Sequence, residues 1–251
     1  MKATIHYKGN DYQIDYSQPL DISIPLKDGF FNVVNCFYAP PVEITPVKTD
    51  TFIGDTTQGG LLNFKNVKLN PHGNGTHTEC VGHLSKEPYI LDKCLKQFFF
   101  KAHVLTVHPE KMDNGDLVIT KRHLQLMIDR FNFEALVIRT LPNDDLKLRM
   151  NYSGNNPPYM EHQAISWLVD NGIDHLLIDL PSIDREEDGG HLLAHKAFWE
   201  FPDNIQSHRT ISELIYVPNS IKDGDYFLNI QITALQMDAS PSKPVLYSIE
   251  G

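Results

Sequence analysis

The sequence predicts a mixed α/β fold, a single domain over residues 1–251 in which helices pack against a central β-sheet. Three observations lead there. The first third of the chain is a series of short β-type runs broken by turns, the middle alternates apolar strands with helical periodicity, and the end returns to strands. No repeat, low-complexity tract or linker-like stretch separates these regions, so a second domain is not expected.

The elements follow in order. ATIHY at 3–7, YQIDY at 12–16 and DISIPL at 21–26 are β-type runs, and LLNFKNVKL at 61–69 alternates like a strand. QFFFKAHVLTVH at 97–108 is aromatic and β-branched, the composition of a buried strand. KRHLQLMIDRF at 121–131 spaces Leu124, Met127, Ile128 and Phe131 at helical intervals behind a Thr120 cap. ALVIRT at 135–140 is a short apolar strand. MEHQAISWLVDNG at 160–172 puts Ile165, Leu168 and Val169 on one helical face and stops at Asn171-Gly172. HLLIDL at 175–180 is the next buried strand, and GGHLLAHKAFWEF at 189–201 reads as a helix. SELIYV at 212–217 and YFLNIQITAL at 226–235 close the chain as strands.

Composition excludes several classes. With 41% hydrophobic residues the chain builds a core and is not disordered. It carries 22 Lys+Arg against 32 Asp+Glu, a formal net charge of -10, which disfavours a phosphate-backbone binder, so no nucleic-acid partner is expected. Three cysteines (Cys36, Cys80 and Cys94) cannot form a disulfide framework, and an odd count argues for reduced thiols. No stretch approaches the roughly 18 apolar residues of a transmembrane helix, and MKATIHYKGNDYQIDY has no apolar signal region. A cytoplasmic protein without a membrane partner is expected.

The chemistry concentrates in Pro71-His72-Gly73-Asn74-Gly75-Thr76-His77-Thr78-Glu79-Cys80-Val81-Gly82-His83. His77 and Glu79 stand two apart, so on an extended chain they point to the same side, a nitrogen and a carboxylate ready for one cation. His83 lies four further on and approaches the same centre if the chain turns at Gly82. His72 stands five before His77, the wrong parity for a strand, and a bulge or tight loop at Gly73 and Gly75 would correct it. Farther along, His191 and His195 are four apart and share a face if their segment is helical.

These segments resemble the cyclase family, which includes bacterial kynurenine formamidases and isatin hydrolases. Gly75-Thr76-His77-x-Glu79-x-x-x-His83 is similar to its GTHxDxPxH signature. Asp21-Ile22-Ser23-Ile24-Pro25-Leu26, Val137-Ile138-Arg139-Thr140, Ile178-Asp179-Leu180-Pro181-Ser182-Ile183-Asp184, Ala194-His195-Lys196-Ala197, Ser212-Glu213-Leu214, Asp223-Gly224-Asp225-Tyr226 and Pro244-Val245 resemble further family segments in the same order. The resemblance implies a mixed α/β fold of the cyclase/kynurenine formamidase type. It also implies a homodimer or higher oligomer and a divalent-metal site of His72, His77, Glu79, His195 and Glu213, with His83 as acid/base. Three departures stand out. The family's first histidine sits four, not five, before the second; its aspartate is Glu79 here; and Cys80-Val81 replaces its small residue and proline. Glu79 therefore leaves one or two ions open, Cys80 is an alternative thiolate ligand, and Glu200 competes with Glu213.

A His/carboxylate set suits Zn²⁺, or Mn²⁺ where oxygen donors dominate. Such an ion lowers the pKa of a water toward about 7 and polarises a carbonyl. A histidine with an ordinary pKa of about 6.5 can take a proton and return it to a leaving amine. The expected function is hydrolysis of a small-molecule amide, a formamide or lactam C–N bond. Two rivals share the site: a metal-dependent cyclase or dehydratase, and a catalytically silent metal- or ligand-binding member. The sequence has no GxSxG elbow, Walker loop or dinucleotide fingerprint. The Gly73-Asn74-Gly75 turn could form a phosphate nest, but its histidine neighbours favour the metal. Cys36 and Cys94 read as buried small residues. Asn35, Phe37 and Tyr38 are candidates for substrate contact, His191 is a candidate neighbour of His195, and Asp179, Ser182 and Asp184 read as residues that cap and shape a turn.

Overall fold

The computed structural model describes residues 1–250. In chain order the strands are β1 (Lys2–Tyr7), β2 (Asn10–Asp15), β3 (Leu20–Asp21), β4 (Glu43–Pro46), β5 (Lys65–Lys68), β6 (His77–Glu79), β7 (Phe99–Val107), β8 (Glu110–Lys111), β9 (Leu117–Ile119), β10 (Ala135–Thr140), β11 (Tyr159–Met160), β12 (His175–Ile178), β13 (Thr210–Glu213), β14 (Gly224–Ile232) and β15 (Ala239–Glu250). The α-helices are α1 (Pro71–Asn74), α2 (Leu91–Cys94), α3 (Lys121–Met127), α4 (His162–Asp170) and α5 (Leu193–Trp199).

Ten strands form one mixed sheet in the order β1-β2-β15-β14-β7-β10-β12-β13-β6, with β3 on β15. β7, β10, β12 and β13 run parallel, as the short apolar runs of the middle segment require. β6 then pairs antiparallel with β13 on one side and with the start of β15 on the other, so the sheet closes on itself. The expected central sheet and its helices are there, and the closure makes the sheet barrel-like.

Strict alternation explains how the sheet is packed on both faces. Leu136 and Ile138 of β10 and Leu176 and Ile178 of β12 face outward into a core shared with Ala164, Ile165 and Leu168 of α4 and Ala194, Phe198 and Trp199 of α5. Ala135, Val137 and Leu177 face inward and meet Ala102, Val104, Leu228, Ile230 and Leu246. α3 starts where expected, with Thr120 Oγ1 accepting the amide of His123 at 3.2 Å.

Several expected elements are shorter than their sequence runs. Of 21–26 only Asp21 joins a strand, because the run crosses β15 at one point and then leaves, making a single bridge from Ser23 to Ile215. Of 61–69 only Lys65–Lys68 is a strand, fully exposed and paired solely with β4 on an arm outside the main sheet. The helix expected over 189–201 starts at Leu193, since Gly189, Gly190 and Leu192 take φ of 71°, 76° and 48°. His191 is therefore outside α5 and shares no helical face with His195. The strand expected over 212–217 lies at Thr210–Glu213, broken by Leu214 at φ 53°. The longest strand, β15, carries Pro241 and Pro244, which mask it in the sequence.

Candidate metal centre

β6 lies at the seam where the sheet closes. Thr78 faces inward and shares a hydrogen bond of 2.6 Å with Ser212, so His77 and Glu79 face outward, on the helix side. Glu213, the last residue of β13, stands opposite His77. α5 crosses this face and brings in His195, whose position is fixed by Asp184: its carboxylate accepts the amides of Ala194 (2.8 Å) and His195 (3.0 Å). His72 arrives on α1, a single helical turn begun by Pro71 and capped by Asn70, whose side chain accepts the Gly73 amide at 3.1 Å. Of the two corrections of parity expected, a bulge or a tight loop, the chain uses a tight one, a single helical turn that contains Gly73 and ends at Gly75. Gly73 allows it, because a Cβ there would sit 2.3 Å from Ala39 Cβ. A 3₁₀ turn, Val81–His83, folds His83 back toward Glu79.

The side chains converge closely. His72 Nδ1 lies 3.0 Å from Glu79 Oε2, and His195 Nε2 lies 3.1 Å from Glu79 Oε1. His77 Nε2 is 3.5 Å and His195 Nε2 3.7 Å from the Glu213 carboxylate. His83 Nδ1 stands 3.7 Å from Glu79 Oε2 and 3.6 Å from Asp238 Oδ2. Outer groups settle the ring tautomers. His77 Nδ1 donates to the Gly75 carbonyl at 3.0 Å, and His195 Nδ1 donates to Asp184 Oδ2 at 2.6 Å. Each leaves Nε2 facing the centre. Glu213 Oε1 accepts the Ile183 amide at 2.9 Å, which holds that carboxylate in place.

This donor set fits a divalent cation. His77 Nε2 and Glu79 Oε2 are buried without a hydrogen-bond partner, a costly arrangement that a cation between them would satisfy. The ligand atoms of His72, His77 and Glu79 lie within 4.8 Å of one another, as do those of Glu79, His83 and His195. Charge balance agrees. Burial works against a charged His72, yet the carboxylates of Asp238 and Glu79, one beside each ring nitrogen, prevail and raise it to about 10. Burial opposes a charged His195 too, and Asp184 and Glu79 raise it to about 10. Burial alone would raise Glu79, but His83, His195 and His72 hold it well below the usual carboxylate range. The site is built for positive charge beside its carboxylates.

A pH dependence follows for chelator-stripped protein. His72 and His195 are raised from 6.5, so their stabilisation is complete below about 6.5 and is lost as pH rises toward 10. Glu79 is lowered, so its contribution is complete above its ordinary 4.5 and is lost only in acid, as pH falls through the depressed value. The melting temperature of stripped protein should fall between pH 6.5 and 10, and added Zn²⁺ should restore it, because cation and protons compete for the same rings. Calorimetry of the stripped protein across that interval checks this; a flat profile would contradict the ion-pair arrangement.

All six residues expected at the site, His72, His77, Glu79, His83, His195 and Glu213, meet here. Glu200 does not: it caps the end of α5 and pairs with Arg209 at 2.7 Å. Cys80 points to the opposite face, into the inner core beside Cys94, and that contact and burial push its thiol far up, which removes it as a thiolate ligand. Asp184 does cap its turn, and it also orients His195. Phe37 lines a cavity of about 620 Å³ whose wall also includes His72, Glu79, His83, His195 and Glu213. Asn35 and Tyr38 are not part of that wall. Asp238, in the turn before β15, is the residue the sequence reading missed; it lies 3.0 Å from His72 Nε2. No motif marks it, since only the pairing of β6 with β15 brings it near.

Histidines and carboxylates spaced to hold a cation converge on the outer face of a closed mixed sheet. The chain belongs to the cyclase family: the family model described as "Putative cyclase" matches residues 17–185. Solved structures share the fold. A potential metal-dependent hydrolase with cyclase activity superposes with a TM-score of 0.66 at 16% identity, covering 93% of this chain and 99% of its own. Isatin hydrolase A from Labrenzia aggregata, bound to benzyl benzoate, gives 0.66 at 14% identity, with 93% and 94% covered. Isatin hydrolase A from Ralstonia solanacearum gives 0.66 at 14%, with 92% and 91% covered. No curated protein gives a significant sequence match. No helix among the described residues is long and apolar enough to cross a membrane.

Proposed function

We propose that this chain is a metal-dependent hydrolase of a small-molecule amide, cleaving a formamide or lactam C–N bond. The observation that carries the reading is the buried, unpartnered pair His77 Nε2 and Glu79 Oε2, of which Glu79 lines a cavity large enough for a small molecule. His72, His77, Glu79, His195 and Glu213 would hold one or two divalent ions, Zn²⁺ first and Mn²⁺ second. The two oxygens of Glu79 face different histidines, which supports a bridging role. A divalent cation supplies Lewis acidity there, acidifying a water and polarising the amide carbonyl.

The chain's own residues do the rest. Asp184 and Gly75 fix the imidazoles of His195 and His77 with Nε2 inward, so the donors need little rearrangement. His83 lines the cavity and has no hydrogen bond on either ring nitrogen within 3.5 Å, so its ring is free to take a proton from water and deliver it to the departing amine nitrogen. Phe37 offers an apolar surface to the cavity. Exposed Phe30, Phe31, Leu61 and Phe64 on or beside the β4–β5 arm support a homodimer or higher oligomer, and three free cysteines support a reducing, cytoplasmic setting.

The test is elemental analysis of protein purified without chelator, followed by turnover on a panel of formamides, lactams and carbamates. Bound Zn²⁺ or Mn²⁺ with hydrolysis of a panel member is the expected result. Absence of metal at neutral pH with no reconstitution would sink the reading. Retained metal with no turnover would favour a binding protein.

A further inference from the structure

Asp238 has no place in the ligand set proposed above, yet the main chain docks it firmly against the site. Its carbonyl accepts the Cys80 amide at 3.0 Å, and the neighbouring Met237 carbonyl accepts the Leu91 amide at 2.9 Å. Gly82 makes room, because a Cβ at that position would lie 2.9 Å from Asp238 Cβ. The carboxylate thus reaches His72 from the side opposite Glu79.

His72 has a carboxylate on each ring nitrogen, both at 3.0 Å, but the two contacts differ. Nε2 and Asp238 Oδ2 are aligned as a hydrogen bond. Nδ1 and Glu79 Oε2 are not, and that oxygen has no hydrogen-bond partner. Two close but misaligned donors converge on a common point, which is what cation ligands do. His77 and His195 are likewise tied outward through Nδ1 with Nε2 facing the centre; His77 Nε2 has no partner there, and His195 Nε2 is hydrogen-bonded to Glu79 Oε1 at 3.1 Å.

We propose that Asp238 is a positioning residue: it accepts the Nε2–H of His72, fixes that tautomer, and makes His72 bind the cation through Nδ1, whereas His77 and His195 bind through Nε2. This rests on the metal-dependent reading above and assigns it an outer carboxylate. It also accounts for the unusual spacing. His72 stands five residues before His77 on a helical turn, and the nitrogen nearer its backbone is the one at Glu79. The competing arrangement places a cation on His72 Nε2, His83 and Asp238, whose ligand atoms also lie within 4.8 Å. The distances favour the first, since Asp238 Oδ2 is 3.0 Å from His72 and 3.6 Å from His83.

The test combines chelator competition for Zn²⁺ with long-range ¹H–¹⁵N correlation of ¹⁵N-histidine protein. In Zn²⁺-loaded wild type, His72 should carry its proton on Nε2, and His77 and His195 on Nδ1. Asp238→Ala should weaken Zn²⁺ binding about 10–100-fold, the usual effect of losing an outer partner. Asp238→Glu should recover part of the loss. His72 protonated on Nδ1 in the loaded protein overturns the proposal, as does unchanged Zn²⁺ affinity in Asp238→Ala. If that variant does not fold, the wild-type tautomer decides alone. A wild type that binds no Zn²⁺ overturns the hydrolase reading and this proposal together; one that binds Zn²⁺ while Asp238→Ala binds equally overturns this proposal alone.

Discussion

Glu79→Gln protein should fold, lose its metal and lose turnover. Glu79 is 1% exposed, and three imidazoles crowd its two oxygens at 3.0, 3.1 and 3.7 Å. Glutamine keeps the shape and removes the charge. Its amide can still hydrogen-bond neutral rings, so the strand stays in place, but the cation loses its central anionic ligand. Removing one partner of a buried charged pair costs about 3–5 kcal/mol. At 1.4 kcal/mol per decade that is roughly two to three and a half decades of cation affinity. Metal content after gel filtration and far-UV circular dichroism check the two halves separately. A Glu79→Gln protein that keeps stoichiometric metal and turnover would show that the centre lies elsewhere.

The parts of this site that local periodicity controls were legible in the sequence. His77 and Glu79 share a side because a strand has a period of two, and β6 honours it with Thr78 turned inward. The apolar runs at 135–140 and 175–180 became β10 and β12, because continuous aliphatic runs of that length suit parallel strands covered on both faces. His72 needed a change of local geometry, and Asn70-Pro71 supplied a helical start that parity counting on a strand did not consider. Asp238 was illegible for a different reason. It reaches His72 only through sheet closure between segments far apart in the chain, and the strand that follows it hides behind Pro241 and Pro244. Long-range closure leaves no local pattern. The capping role of Asp184 is legible because an aspartate just past a strand commonly accepts backbone amides, whereas its ring contact with His195 depends on where α5 begins.

The fold holds the centre on regular elements and builds the facing cavity wall from loop backbone. The donors come from a strand seam, a helix and a capped helical turn, each tied by main-chain bonds. The opposite wall is the segment 185–192, with Gly189, Gly190 and Leu192 in left-handed conformations and Glu186, Glu187 and Asp188 facing the cavity. Substrate preference should reside in that wall and in Phe37, not in the donor set.

His83→Ala should keep its metal and lose turnover, the reverse separation from Glu79→Gln. Among the four imidazoles, His72, His77 and His195 each have a ring nitrogen tied to an outer acceptor, whereas His83 has none. Its ring is 29% exposed to the cavity, and its centroid stands 4.5 Å from that of His72 and 5.4 Å from that of His195. A proton carrier needs both features: contact with the reacting water and a ring unencumbered enough to pass the proton on. General acid–base assistance is worth about 10²–10⁴ in rate, so kcat should fall by that factor while KM changes far less. Added imidazole should restore part of the rate by occupying the space the ring leaves. Metal analysis decides between carrier and ligand, because His83 also lies within ligand reach of Glu79 and His195. If His83→Ala protein loses metal in proportion to activity, His83 is a ligand; if it keeps both metal and full turnover, the proton passes through another group.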